Sequence, residues 1–293
     1  MSRIRTLDGV AIAAIAWIAI VAIGSLLAPL IAPHDPLAIN LGLRNRPPGT
    51  ADPAGGLGFL LGTDPLGRDI LSRLIFGAQV SLAVGTLSVL VSGTFGVLVG
   101  LLAGYYRGWF EKILMRVIDV QMSLPPMLIA LLLLYTLGGG TLNVVFVLAV
   151  TRWPVYARLV RGIMLSLRER QFIEAIVQTG ASDARVLIRH AIPNVARPVA
   201  VLATLEVATM MLTEAGLDFL GLGVQPPSAT WGLMLADGQQ YITVAWWQIT
   251  MPGLAILFTS LAFNLLGTSM GKPSASRPLK PDAGMELAPL RPG

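Results

Sequence analysis

The chain has 293 residues, of which 54% are hydrophobic and 13% charged, with no cysteine and a net charge of +5. A water-soluble domain has about a quarter of its residues charged, so composition and a mean hydropathy of +0.71 exclude a soluble enzyme. The missing cysteines exclude disulfides, thiolate metal sites and a cysteine nucleophile. The basic residues flank apolar runs, which is the positive-inside pattern of a membrane protein and not a nucleic-acid patch.

Several apolar runs reach the ~20 residues that cross a bilayer as a helix. Hydrocarbon offers the backbone no partners, so the spans should be helices. Arg3 and Arg5 precede a first span from Val10 to Leu27, longer than the ~7–15 residue core of a cleavable signal peptide. The N-terminus is therefore expected inside, and residues 1–31 form the tail and first span. Residues 32–63, rich in Pro and Gly, read as an irregular extracytoplasmic segment. After them Ile70, Leu71, Leu74 and Ile75 form one apolar face, and Arg68, Asp69 and Arg73 a polar one. This pattern predicts a helix lying in the membrane interface, so that 32–76 is a single extracytoplasmic unit.

A core of five spans is expected over 77–270. The second span runs from Val80 to Ala103, with Gly85, Gly93, Gly96 and Gly100 spaced for close helix contact, either within the chain or with another subunit. The stretch YYRGWFEKILMR should be a cytosolic loop. The third span, Ile118 to Leu137, should kink at Pro125-Pro126, with Asp119 near its cytosolic end satisfied by water or Arg116. Gly138-Gly139-Gly140 makes an outer turn. The fourth span, Leu142 to Val160, is interrupted by Pro154 and contains Arg152, a costly charge that needs a partner or water. The fifth, Val199 to Leu220, carries Glu206, Glu214 and Asp218. At 100° per residue these three lie at about 0°, 80° and 120°, on one side of the helix. The sixth runs from Trp247 to Leu266, and the Pro-rich tail 271–293 should be cytosolic and disordered. Of the 21 Lys and Arg residues, Arg44, Arg46, Arg68 and Arg73 fall in the first outer segment and Arg152 inside a span; the rest fall on segments expected in the cytosol.

The charged loop 166–195 organises the chain. Ser166 and Glu169 stand three apart, as in a capping box, predicting a helix from Leu167. Gly180 is a natural helix-ending residue, since glycine enters the left-handed region without strain. A second short helix can begin at Ser182, with Asp183 in its first turn, and should stop near Pro193. His190 would sit at its C-terminus, where a cation interacts well. Read alone, the first helix is an amphipathic connector. The pattern Glu174-Ala175, Gly180, His190, Pro193-Asn194 resembles the EAA loop of ATP-binding-cassette (ABC) importer permeases, with Ile176 in place of the second alanine. A second stretch, GTDxxGRDxxSRxxxGxxxSLxVG over 62–85, resembles the C-type permease subunits that import dipeptides, oligopeptides or nickel. Leu220-Gly221-Leu222-Gly223 with Pro226-Pro227 resembles the same group.

The resemblance implies an all-α polytopic membrane protein with six transmembrane helices, the type I ABC importer permease fold. It implies a homologous second permease, two ATPase subunits bearing ATP and Mg²⁺, and an extracytoplasmic solute-binding protein, in a bacterial or archaeal cytoplasmic membrane with both termini cytosolic. The coupling residues it implies are Phe172, Glu174, Ala175, Gly180, Ala181, His190, Pro193 and Asn194. Arg152, Glu206, Glu214 and Asp218 are candidates for the translocation path, or alternatively bond to neighbouring helices. No GxxxxGK[ST] loop and no HExxH occurs, and two histidines are too few for a histidine-based metal site. No catalytic, cofactor-binding or metal site is expected in this chain, and no nucleic-acid partner. The alternative reading is a proton-coupled secondary transporter, motivated by the intramembrane acids; it leaves the EAA pattern unexplained. A membrane-embedded assembly scaffold would leave the intramembrane charges unexplained.

Overall fold

The structure, a computed structural model, describes residues 9–171, 176 and 178–271. Its elements are helices: α1 (Gly9–Leu26), α2 (Ala28–Ile31), α3 (Ile70–Tyr106), α4 (Gly108–Ser123), α5 (Pro126–Leu137), α6 (Thr141–Arg168), α7 (Asp183–Phe219), α8 (Trp231–Gly238) and α9 (Trp247–Gly271). α1, α3, α6, α7 and α9 are each long and apolar enough to cross a membrane. The predicted third span is the exception. It is broken between α4 and α5, whose axes differ by 89°. Pro125 and Pro126 are the cause, because proline supplies no N–H and disfavours helix in the residue before it. The expected cytosolic loop at 105–116 is also mostly helical, since α4 starts at Gly108. Arg158 and Arg161 of α6 pin α4 through Asp119 at 2.6 Å and Glu111 at 2.5 Å. Asp119 is thus served by Arg158, not by the expected Arg116.

The centre of the fold is α3 against α6. The glycine series makes this contact possible within the chain. A Cβ at Gly96 would lie 2.5 Å from the Trp153 carbonyl oxygen, and one at Gly104 would lie 2.6 Å from Met164 Cβ. The backbones approach because these side chains are absent. Around this pair, Val84, Leu134, Val144, Leu148, Tyr156, Met210 and Leu217 form the main buried core.

Residues 32–76 depart from the expected interfacial helix. Ile70 begins the same 37-residue helix that spans the membrane, and Arg73 is only 3% exposed. The polar residues of 62–73 therefore form a knot and not a solvated face. Asp64 accepts from the backbone N–H of Leu66 and Arg68, from Arg68 Nε at 2.6 Å, and from Arg73. Asp69 caps α3 by accepting from Ser72 N at 2.8 Å. Thr63 donates to the Leu43 carbonyl at 2.5 Å, and its own carbonyl accepts from Trp247 and Gln248 of α9. Gly67 has φ +75° and packs its Cα directly on the Asn40 carbonyl, where no side chain fits. Asp237 of α8 closes the knot, 3.4 Å from Arg73 and 3.6 Å from Arg68. Residues 32–63 contain the 3-10 turn Leu41–Leu43 and an isolated antiparallel bridge between Thr50 and Phe59.

Candidate functional site

The loop between α6 and α7 is positioned by the ends of three helices. α6 continues to Arg168, so Ser166 is inside it and donates back to the Gly162 carbonyl at 3.3 Å. The predicted capping box at Ser166 is therefore not formed. Met164 and Leu167 of α6, Leu101 and Tyr105 of α3, and Val186, Ala191 and Val195 of α7 make a second buried cluster beneath the loop, with Ile176 and Ala181 against it. This apolar pedestal fixes where the loop leaves and returns.

Of the predicted coupling residues, Phe172, Glu174 and Ala175 lie outside the described residues. Gly180 has φ +84°, as a helix-ending glycine requires, and nothing lies near its Cα face, so conformation and not space selects it. Ala181 donates its N–H to the Ile176 carbonyl at 3.3 Å. Ser182 precedes α7 in extended conformation without a side-chain cap bond, and Asp183 opens the helix.

The second short helix does not stop at Pro193. It runs on into the fifth span through a π stretch, Leu187–Ala191. In a continuous α-helix the Pro193 ring would clash with the carbonyl four residues earlier; the wider π turn makes room. His190 accordingly sits inside a long helix and not at a C-terminus. Its carbonyl accepts from Asn194 Nδ2 at 2.7 Å. Around it Ala184, Arg185, Ile188 and Arg189 are exposed, giving a basic and apolar face directed away from the pedestal.

The intramembrane charges separate into two groups. Arg152 Nε on α6 stands 3.3 Å from Glu206 Oε2 on α7, with the Arg152 side chain 21% exposed. Tyr156, one turn on, has a buried hydroxyl without a hydrogen-bond partner beside this pair. Glu214 and Asp218 are each 1% exposed. Asp218 accepts from Val224 N at 2.7 Å and from the Thr230 hydroxyl, and Thr230 in turn caps α8 by accepting from Leu233 N at 3.0 Å. Glu214 lies against Asp218, Ser81 and Thr230. Gly223 and Gly232 approach Asp218 so closely that a Cβ on either would overlap it. These two acids thus build the turn from α7 into α8. Sequence reasoning placed all three acids on one side but missed Thr230 and Ser81, which carry no signal beyond ordinary span polarity.

Among the described residues no group of His, Asp and Glu is placed to hold a metal ion. The arrangement is that of a helical membrane protein with an exposed loop on an apolar pedestal and, among the described residues, a partly accessible ion pair between two spans.

The comparisons with known proteins agree. The chain belongs to the family described as "Binding-protein-dependent transport system inner membrane component", which matches residues 96–277. It is 42% identical over 246 residues to the di/tripeptide transport system permease protein DppC of Pseudomonas aeruginosa (strain UCBPP-PA14), covering 84% of this chain and 81% of that one. It is 41% identical over 209 residues to the glutathione transport system permease protein GsiD of Escherichia coli O6:K15:H31 (strain 536 / UPEC), covering 71% and 69%. In fold it is similar to a chain of the MetNI methionine ABC transporter in an inward-facing conformation, with TM-score 0.55, 18% identity, and coverage of 69% of this chain and 97% of that one. The protein is thus a multi-pass membrane permease subunit of an ABC importer with the type I permease fold.

Proposed function

We propose that this subunit passes peptides, di- or oligopeptides, across the cytoplasmic membrane. The observation that carries the reading is the similarity to a di/tripeptide permease along 84% of the chain, including the outer knot and the inner loop. In the proposed assembly a homologous permease completes the path, an extracytoplasmic solute-binding protein delivers the peptide, and two ATPase subunits hold ATP and Mg²⁺. Loop 166–195 is the coupling element, offering its exposed face to the ATPase, with both termini of the chain cytosolic. ATP then biases a two-state gate through that contact. Of the four intramembrane candidates, Arg152 and Glu206 are kept for the path, because the pair is partly accessible while Glu214 and Asp218 are enclosed. A carboxylate there can meet a peptide amino group, and its guanidinium partner a peptide carboxylate, weakly enough to release both.

The test is purification from native membrane followed by reconstitution. Co-purifying ATPase subunits and ATP-dependent uptake of a dipeptide are expected. Uptake by the lone chain in proton-loaded vesicles, without ATP, would overturn the proposal in favour of a secondary transporter. ATP-dependent uptake of nickel chelates but not peptides would overturn the substrate class alone.

A further inference from the structure

We propose that Tyr105 is the positioning residue that ties both ends of the coupling loop to α3, so that loop movement is delivered to that helix. The inference rests on the coupling role given above to loop 166–195.

Tyr105 is the penultimate residue of α3 and 7% exposed. Its hydroxyl donates to Asp183 Oδ1 at 2.7 Å, and Asp183 is the first residue of α7, where the loop returns. Its ring lies under the Arg168 guanidinium, 5.3 Å from centroid to Cζ, and its carbonyl accepts from Arg168 Nη1. Arg168 is the last residue of α6, where the loop departs. Two residues on, Arg107 Nη2 pairs with Glu169 Oε1 at 3.2 Å. One residue therefore meets both boundaries of the loop, through three different contacts: a hydrogen bond from its hydroxyl to a charged group, a cation–π contact of its ring and its backbone carbonyl as acceptor.

What Tyr105 is attached to gives the contacts their consequence. α3 runs 37 residues without interruption, about 55 Å at 1.5 Å per residue. Its outer end is locked by Asp69 and Arg73 into the knot. A displacement of the loop relative to the pedestal must shift Tyr105 or break its bonds. If it shifts Tyr105, the displacement reaches the outer side through a single rigid helix. The apolar pedestal alone would allow sliding, because dispersion contacts are non-directional and individually small. The hydroxyl and guanidinium contacts fix direction.

The test uses the full complex in proteoliposomes, with dipeptide uptake and phosphate release measured together. Ser182→Cys reports loop docking by cross-linking to the ATPase, since the chain has no cysteine of its own. Tyr105→Phe keeps the ring and the carbonyl and removes only the bond to Asp183. It should leave the cross-link intact and lower peptide moved per ATP by about tenfold, the factor that one hydrogen bond to a charged group is worth. Asp183→Ala, which removes the acceptor, should do the same, and the double variant should be no worse than either single one. An unchanged transport-to-ATP ratio in Tyr105→Phe overturns the inference while leaving the coupling loop in place. So do additive losses in the double variant, or a cross-link lost in Tyr105→Phe alone, which would make the hydroxyl a docking element. Absence of the cross-link in the Ser182→Cys parent would instead reject the coupling reading itself.

Discussion

Gly100 and Gly93 lie on the same helix two turns apart, and the structure assigns them opposite tolerance. An alanine Cβ at Gly100 would stand 2.6 Å from the Ala157 carbonyl oxygen, 2.9 Å from Val160 Cβ and 3.1 Å from Ala157 Cα. Two of these three atoms are backbone and cannot rotate away, so α3 and α6 must separate. A gap of about 0.5–1 Å forfeits a quarter to a half of each dispersion contact along the face, and overpacking of this kind costs about 1–3 kcal/mol. At Gly93 the nearest atom is the Tyr156 ring at 3.5 Å, an ordinary contact. Alanine there fits and relieves the helix of glycine's penalty of about 0.5–1 kcal/mol. Thermal unfolding of the protein in detergent, followed by intrinsic fluorescence, should show Gly100→Ala melting several degrees below Gly93→Ala. Equal midpoints would refute the reasoning, because they would mean that the α3–α6 contact is not close-packed at Gly100.

Four further outcomes are expected. A cysteine at Ser182 should react with an impermeant reagent only from the cytosol and one at Ala51 only from outside; labelling of position 182 in sealed right-side-out cells would reject the orientation. Gly180, at φ +84°, should tolerate Asn better than Val, so Gly180→Val should lower transport further; equal transport by the two would show that the left-handed turn is not required. Burial pushes the Asp237 carboxyl above its ordinary range, with Arg68 opposing. Only between the ordinary and the raised value does the folded chain keep a proton that the unfolded chain has released, and stability falls as pH rises through that window. Asp237→Asn should flatten that limb of the melting profile, and an unaltered profile would exclude Asp237 as its source. Glu206→Gln should assemble normally and lower uptake of a cationic peptide more than of a neutral one; equal loss with failed assembly would assign the pair to structure alone.

Much of this fold was legible because hydrocarbon leaves few options. Runs such as Gly9–Leu26 and Trp247–Gly271 announce themselves by length and apolarity. The positive-φ Gly180 was legible because only glycine ends helices so readily. The partner of Arg152 was legible in kind, since a buried charge requires an opposite one, and Glu206 was among the acids at hand. What was not legible depended on neighbours distant in sequence. Arg68 and Arg73 looked like one polar face of a surface helix because Asp237, more than 160 positions away, is not visible in a local pattern. Ser166 looked like a cap because its spacing to Glu169 is right; α6 overrides it by burying Leu167 in the pedestal. Tyr105 lay in the stretch expected to be a cytosolic loop, and only the convergence of three helix ends shows what its hydroxyl meets.

The two tie points on α6 and α7 bear on how such a subunit can move. At the loop end these helices are joined through Tyr105, which meets Arg168 and Asp183. Within the bilayer they are joined again by Arg152 and Glu206. Between the two ties α6 continues unbroken, with Pro154 tolerated inside it. α7 between the same ties contains the π stretch Leu187–Ala191, Pro193 and Pro198. Widened turns and missing N–H donors make a helix easiest to bend where they occur. A displacement imposed on the loop is therefore shared unequally. α3, which has no proline, carries it stiffly, and α7, with the π stretch and two prolines against one in α6, yields most. The bend changes the tilt of the outer part of α7, which carries Glu206 and, beyond it, the Asp218 turn that anchors α8. On the coupling reading proposed above, bending α7 moves Glu206 relative to Arg152 and so acts on the ion pair.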